Sequence, residues 1–108
     1  MQRVVLVPRT RAARLYAVPE ATEGYYCNYG VNPEYRLQFE ACGLRVSGVG
    51  DEGEIRIVEI PEHPFFMATL FLPQARSTAA SPHPLLVGYA AAVVACREAR
   101  ARLSLARP

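Results

Sequence analysis

Asn32-Pro33-Glu34-Tyr35-Arg36-Leu37-Gln38-Phe39-Glu40-Ala41-Cys42-Gly43, running directly into Leu44 to Val49, is the stretch on which the fold turns. Asn32 has the short acceptor side chain suited to a helix N-cap, Pro33 the fixed φ suited to the first helical position, and Glu34 a charge that favours the first turn. Gly43 supplies a left-handed stop. Tyr35, Phe39 and Cys42 recur at i, i+4 and i+7, which gives the helix one face to lay on a sheet. The sheet is expected immediately downstream: Leu44 to Val49 and Ile55 to Ile60 are β-branched runs joined by Gly50-Asp51-Glu52-Gly53-Glu54, a composition that turns the chain back into a hairpin. Helix, then strands, is the order of an α/β domain.

Working toward the C-terminus, Pro61-Glu62-His63-Pro64 is a turn. The nearly all-apolar run Phe65 to Leu72 follows, read as a strand buried on both faces at the centre of the sheet. The small and polar residues Pro73 to Ser81 form a loop. Pro82-His83-Pro84 then leads into a long helix from Leu85 to Leu103 with Leu86, Tyr89, Val93 and Cys96 as its buried stripe. Working toward the N-terminus, Tyr25 to Val31 is aromatic and β-branched enough for a strand, with a bulge or close approach at Gly30. Val18 to Gly24 is a polar connection, Thr10 to Tyr16 a turn or short helix, and Met1 to Val7 a short strand ended by Pro8.

A chain of 108 residues, 51% hydrophobic, has room for one small domain and one core. Its net charge of +2 rests on twelve arginines and no lysine, spread along the chain. Only the tail from Arg97 to Arg107 gathers them, and there a solvated helix end is the simpler reading, so no nucleic-acid partner is expected. No run approaches the roughly 20 apolar residues of a membrane span and no secretory leader opens the chain, so the expectation is a cytoplasmic protein without a membrane partner. The three cysteines Cys27, Cys42 and Cys96 lack C-x-x-C spacing, which argues against a disulfide framework or a zinc site and for buried apolar packing. No metal and no cofactor are expected.

Four stretches stand in register along the chain: Tyr29-Gly30-Val31-Asn32-Pro33-Glu34-Tyr35, Gly43-Leu44-Arg45-Val46-Ser47-Gly48, Ile60-Pro61-Glu62-His63-Pro64-Phe65-Phe66 through Phe71, and His83-Pro84-Leu85. Together they resemble the end of the class I glutamine amidotransferase domain of CTP synthase, from about Leu6 to Val93. The resemblance implies the second half of a flavodoxin-like α/β domain, a mixed sheet with flanking helices. It also implies that residues 1–108 form one partial domain, with the half that carries the nucleophilic cysteine on its strand-to-helix elbow lying upstream.

In that family the strand matching Phe65 to Leu72 ends in Phe-His-Pro-Glu, whose histidine and glutamate complete a Cys-His-Glu triad. The same place here reads Phe71-Leu72-Pro73-Gln74. Leu72 cannot accept the thiol proton or protonate departing ammonia, and Gln74 lacks the charge that steadies an imidazolium. The family's substrate-holding arginine falls on Asn28, a neutral amide in place of a carboxylate clamp. None of the three cysteines sits in a G-x-C-x-G elbow.

The resemblance therefore implies a domain without glutaminase activity, a binding or regulatory protein. It would hold a small molecule in the former glutamine pocket, or pair its uncovered sheet edge with another copy or another chain. Two alternatives stand beside it. One is a thiol-dependent redox protein using Cys27, whose Tyr-Cys-Asn-Tyr-Gly setting is similar to a group of CTP-synthase C-terminal-region-related proteins, some of them selenoproteins. The other is an amidotransferase completed by an upstream segment.

Outside the resemblance, His63 and His83 are read as turn structure, Glu59 and Glu62 as a solvated strand end, and Tyr25, Tyr26 and Tyr29 as cross-strand packing.

Overall fold

The computed structural model describes residues 1–24 and 30–106. The elements in chain order are β1 (Gln2–Leu6), α1 (Arg11–Tyr16), β2 (Glu20–Glu23), a 3₁₀ turn at Pro33–Tyr35 leading into α2 (Arg36–Ala41), β3 (Arg45–Val49), β4 (Ile55–Glu59), β5 (Met67–Thr69), a 3₁₀ turn at Pro73–Arg76, and α3 (Pro84–Ala106). The strands form one sheet in the order β2-β1-β3-β4-β5. The fold is of the α/β class, and every described strand pairing is antiparallel rather than mixed. The β3–β4 hairpin forms as its sequence dictates, with Arg45 opposite Glu59 and Val49 opposite Ile55, and the register slips at Ser47.

One face of the sheet carries the core. Val4 and Leu6 of β1, Ile57 of β4 and Phe71 pack against Ala12 and Tyr16 of α1 and Leu85 at the start of α3. Thr10 caps α1, its side chain accepting from Ala13 N at 3.2 Å. Glu59 reaches the same end from β4: its two carboxylate oxygens accept from the amides of Arg11 and Ala12 at 2.9 and 3.1 Å. Glu59 is buried, not a solvated strand end, because a carboxylate that takes two orphan amides at a positive helix terminus is better satisfied there than in water.

Other expectations also change. Glu20–Glu23, read as a polar connection, is strand β2, since an edge strand tolerates charge and Glu20 meets Arg3 across the pair at 3.3 Å. Residues 25–29 of the expected strand lie outside the described residues, and Val31 forms an isolated bridge with Ile55. The apolar run Phe65 to Leu72 shortens to β5 and stands at the end of the described sheet order, leaving Phe66, Leu70 and Leu72 exposed. Periodicity cannot tell a central strand from one whose cover is supplied from elsewhere.

At α2 the cap grammar holds: Asn32 accepts from Glu34 N at 2.9 Å, and Gly43 adopts φ 91°. Its expected packing face is largely open, with Tyr35 and Cys42 exposed and Phe39 half-buried. In α3 the buried residues are Leu85 and Gly88, in place of the stripe Leu86, Tyr89, Val93 and Cys96, of which only Cys96 is even partly covered. Gly88 allows this rotation: a Cβ there would stand 2.6 Å from Leu15 Cδ1, so the bare backbone lets Leu15 of α1 pack directly on the helix.

Replacing Glu59 by Ala strips α1 of both amide acceptors and is expected to cost about 2 kcal/mol, while Glu59→Gln, which keeps one acceptor, costs less. Urea denaturation followed by far-UV circular dichroism measures both.

Candidate functional site

Glu23 ends β2 with its side chain turned into the core face and fully buried. A bare carboxylate in that position would be costly, and three groups from other elements answer it. Arg76, in the turn before α3, forks onto both oxygens, Nε to Oε1 at 2.7 Å and Nη2 to Oε2 at 3.0 Å. Tyr16 of α1 donates its hydroxyl to Oε2. His83, one residue before α3, lies 2.6 Å from Oε2 through Nε2. Its Nδ1 receives the amide of Leu85 at 3.1 Å, which fixes the tautomer: Nδ1 accepts, so Nε2 carries the proton and donates to Glu23.

The electrostatics follow from that geometry. Burial works to raise the Glu23 carboxyl, and the hydrogen bonds from Arg76, Tyr16 and His83 overcome it, leaving the group below its ordinary 4.5. Burial, then the bond to Glu23, pushes the Tyr16 phenol well above its ordinary range. The Arg76 guanidinium is raised by its bond to Glu23. This is a buried carboxylate held by four hydrogen bonds, three of them on Oε2. It is closed off from solvent, and His83 has both ring nitrogens engaged within the chain.

Leu72 lies beside this cluster in sequence and space, its amide directed at Gly24 O at 3.4 Å and its side chain 39% exposed. Gln74 is exposed in the 3₁₀ turn between Leu72 and Arg76. The structure thus brings the Leu72–Gln74 turn to the end of β2, where residues 25–29 begin. Cys27 and Asn28 lie outside the described residues. His63, as expected of turn structure, accepts from Phe65 N at 3.0 Å. Cys42 is exposed and Cys96 half-buried. Among the described residues, no group of histidine, cysteine and carboxylate side chains is arranged to hold a metal ion, and no helix is long and apolar enough to cross a membrane.

No family profile matches the chain. Individual proteins do. CTP synthase of Flavobacterium johnsoniae is 39% identical over 88 residues, covering 81% of this chain and 16% of that protein. CTP synthase of Synechococcus is 38% identical over 101 residues, 93% of this chain and 19% of that protein. The Trypanosoma brucei CTPS glutaminase domain with bound acivicin superposes with a TM-score of 0.75 at 30% identity, over 85% of this chain and 38% of that one. The chain is a relative of the CTP synthase glutaminase domain. It spans about a sixth of the length of the curated CTP synthases it matches (16% in the Flavobacterium protein), within their glutamine amidotransferase portion.

Sequence reasoning singled out Leu72 and Gln74 by resemblance and missed the cluster of Glu23, Tyr16 and Arg76. Glu23 and Arg76 are 53 positions apart, and no local pattern links them. From the sequence His83 reads only as turn structure. It does serve the turn, through Nδ1, but its other nitrogen is committed to Glu23.

Because the Glu23 carboxyl titrates lower in the folded chain than in the unfolded one, its stabilisation is complete above about pH 4.5 and is lost as pH falls through the folded value. Urea midpoints are therefore expected to drop from pH 6 to pH 3. Glu23→Gln is expected to cost about 3 kcal/mol at pH 7, the low end for a broken buried pair because Arg76 keeps a wet face, and to flatten that acid slope.

Proposed function

We propose that this chain is a non-catalytic, glutaminase-like binding module: a CTP-synthase-related scaffold that does not release ammonia from glutamine and acts by association. The observation that carries the reading is the disposition of its only two histidines. His83 gives both ring nitrogens to Leu85 N and Glu23, and His63 gives Nδ1 to Phe65 N in a turn, while an exposed leucine stands at position 72. A thiol nucleophile supplied from anywhere would find no imidazole base at that turn, and losing such a base removes several orders of magnitude in rate.

Association is supported by the second face of β5. Phe66, Ala68, Leu70 and Leu72 alternate outward and are all exposed. Monomeric proteins seldom leave such a row bare on a strand that ends the described sheet. A second polypeptide, or a further segment of the same one, seated on that face would make a regulatory subunit of this scaffold. Cytoplasmic residence is part of the same proposal.

Ammonia release from glutamine is expected to stay at background for the purified chain. It is expected to stay there for Leu72→His/Gln74→Glu as well, unless a protein supplying a nucleophilic cysteine is added. Turnover by the unaltered chain, measured by coupled ammonia detection, would overturn the reading.

A further inference from the structure

Along α3 runs a groove of about 550 Å³, closed on its other side by the His63 to Phe65 turn. Its volume lies within the roughly 300–1,000 Å³ of small-molecule sites. One end is aromatic: Phe65 and Tyr89 meet edge to face, with ring centroids 5.7 Å apart. The floor is Ala92, Val93 and Cys96. The other end is Arg97 and Arg100, three positions apart and so on one side of the helix.

Neither arginine has a carboxylate or carbonyl partner among the described residues. Glu98, their neighbour in sequence, does not line the groove. At the aromatic end Arg11 also sits over Phe65, 5.7 Å from the ring centre, but its guanidinium is spent on the carbonyls of His63 and Pro64. Arg11 thus keeps its charge with Nη1 bound to carbonyls beside Phe65, while the two guanidiniums without a partner among the described residues stand at the other end of an apolar trough.

We propose that this groove binds a small anion with an apolar body, the body lying on Phe65, Tyr89 and Val93 and a carboxylate or phosphate head held by Arg97 and Arg100. Three features select that class. An apolar body covers side chains that the fold leaves wet, including Tyr89 and Val93, which are 54% and 49% exposed. Two guanidiniums one helical turn apart match the paired oxygens of a carboxylate or phosphate. A second copy of this chain is disfavoured as occupant, since it carries the same net charge of +2. The site shares no lining residue with the Leu72–Gln74 turn, so it stands or falls separately from the glutaminase-like reading.

The test uses decanoate and decyl phosphate as probes below their micelle concentrations, with decyltrimethylammonium as the charge-reversed control. Cys96 lies on the groove floor, so its rate of alkylation by iodoacetamide, read by peptide mass, reports occupancy at this place. Cys42, exposed on α2's far end, is the internal reference. Both anions are expected to slow modification of Cys96 saturably and leave Cys42 unchanged. Arg97→Gln/Arg100→Gln is expected to weaken both by about tenfold or more, the loss of charge-assisted contacts. Ala92→Phe, which fills the trough without touching the arginines, is expected to abolish protection. If the cationic control protects Cys96 as well as the anions do, if the arginine variant binds unchanged, or if no probe protects Cys96, the proposal is wrong.

Discussion

A single buried carboxylate, that of Glu23, holds together parts of the chain that local forces would leave separate. β2 supplies the acid, α1 the phenol, the turn after β5 the guanidinium, and the residue before α3 the imidazole. Each of these elements is short or irregular on its own: α1 has six residues and β2 four. Helices of that length do not persist in water without tertiary support. The desolvation that makes a lone buried carboxylate costly is what makes the assembly specific, because only the full set of donors offsets it.

The second polar tie, Glu59 onto the start of α1, acts in the same way from the opposite side. Between them, two carboxylates on β2 and β4 pin α1 at both ends, Glu59 by its first amides and Glu23 by Tyr16 in its last turn. The apolar cluster then fills the space these ties define. The order of cause matters for function: the residues that look most like an acid–base site are consumed in building the domain.

What could be read in the sequence was whatever is encoded within a few neighbouring residues. Asn32, Pro33 and Gly43 specify a helix and its limits without reference to the rest of the chain, and the Gly50–Glu54 turn specifies the hairpin. The α/β class followed from their order, and the four family stretches pointed to the solved glutaminase domain that the chain in fact superposes on. What could not be read was burial. Leu86, Tyr89 and Val93 have the spacing of a packed stripe, yet the helix meets Leu15 on its bare backbone at Gly88 and the stripe faces outward. Phe65 to Leu72 has the composition of a central strand, yet it ends the described sheet. Glu59 reads as solvated because its partners lie 47 and 48 positions away, and Glu23 reads as part of a polar connection because Arg76 and His83 lie 53 and 60 positions away.

α3 has 23 residues and is therefore about 34 Å long, but its fully buried positions, Leu85 and Gly88, both fall in its first two turns. It is a rod held at one end. His83 sits just behind that fixed end, and the groove lies along the rest of the rod. Helix anchorage and charge burial thus meet within two residues, His83 and Leu85.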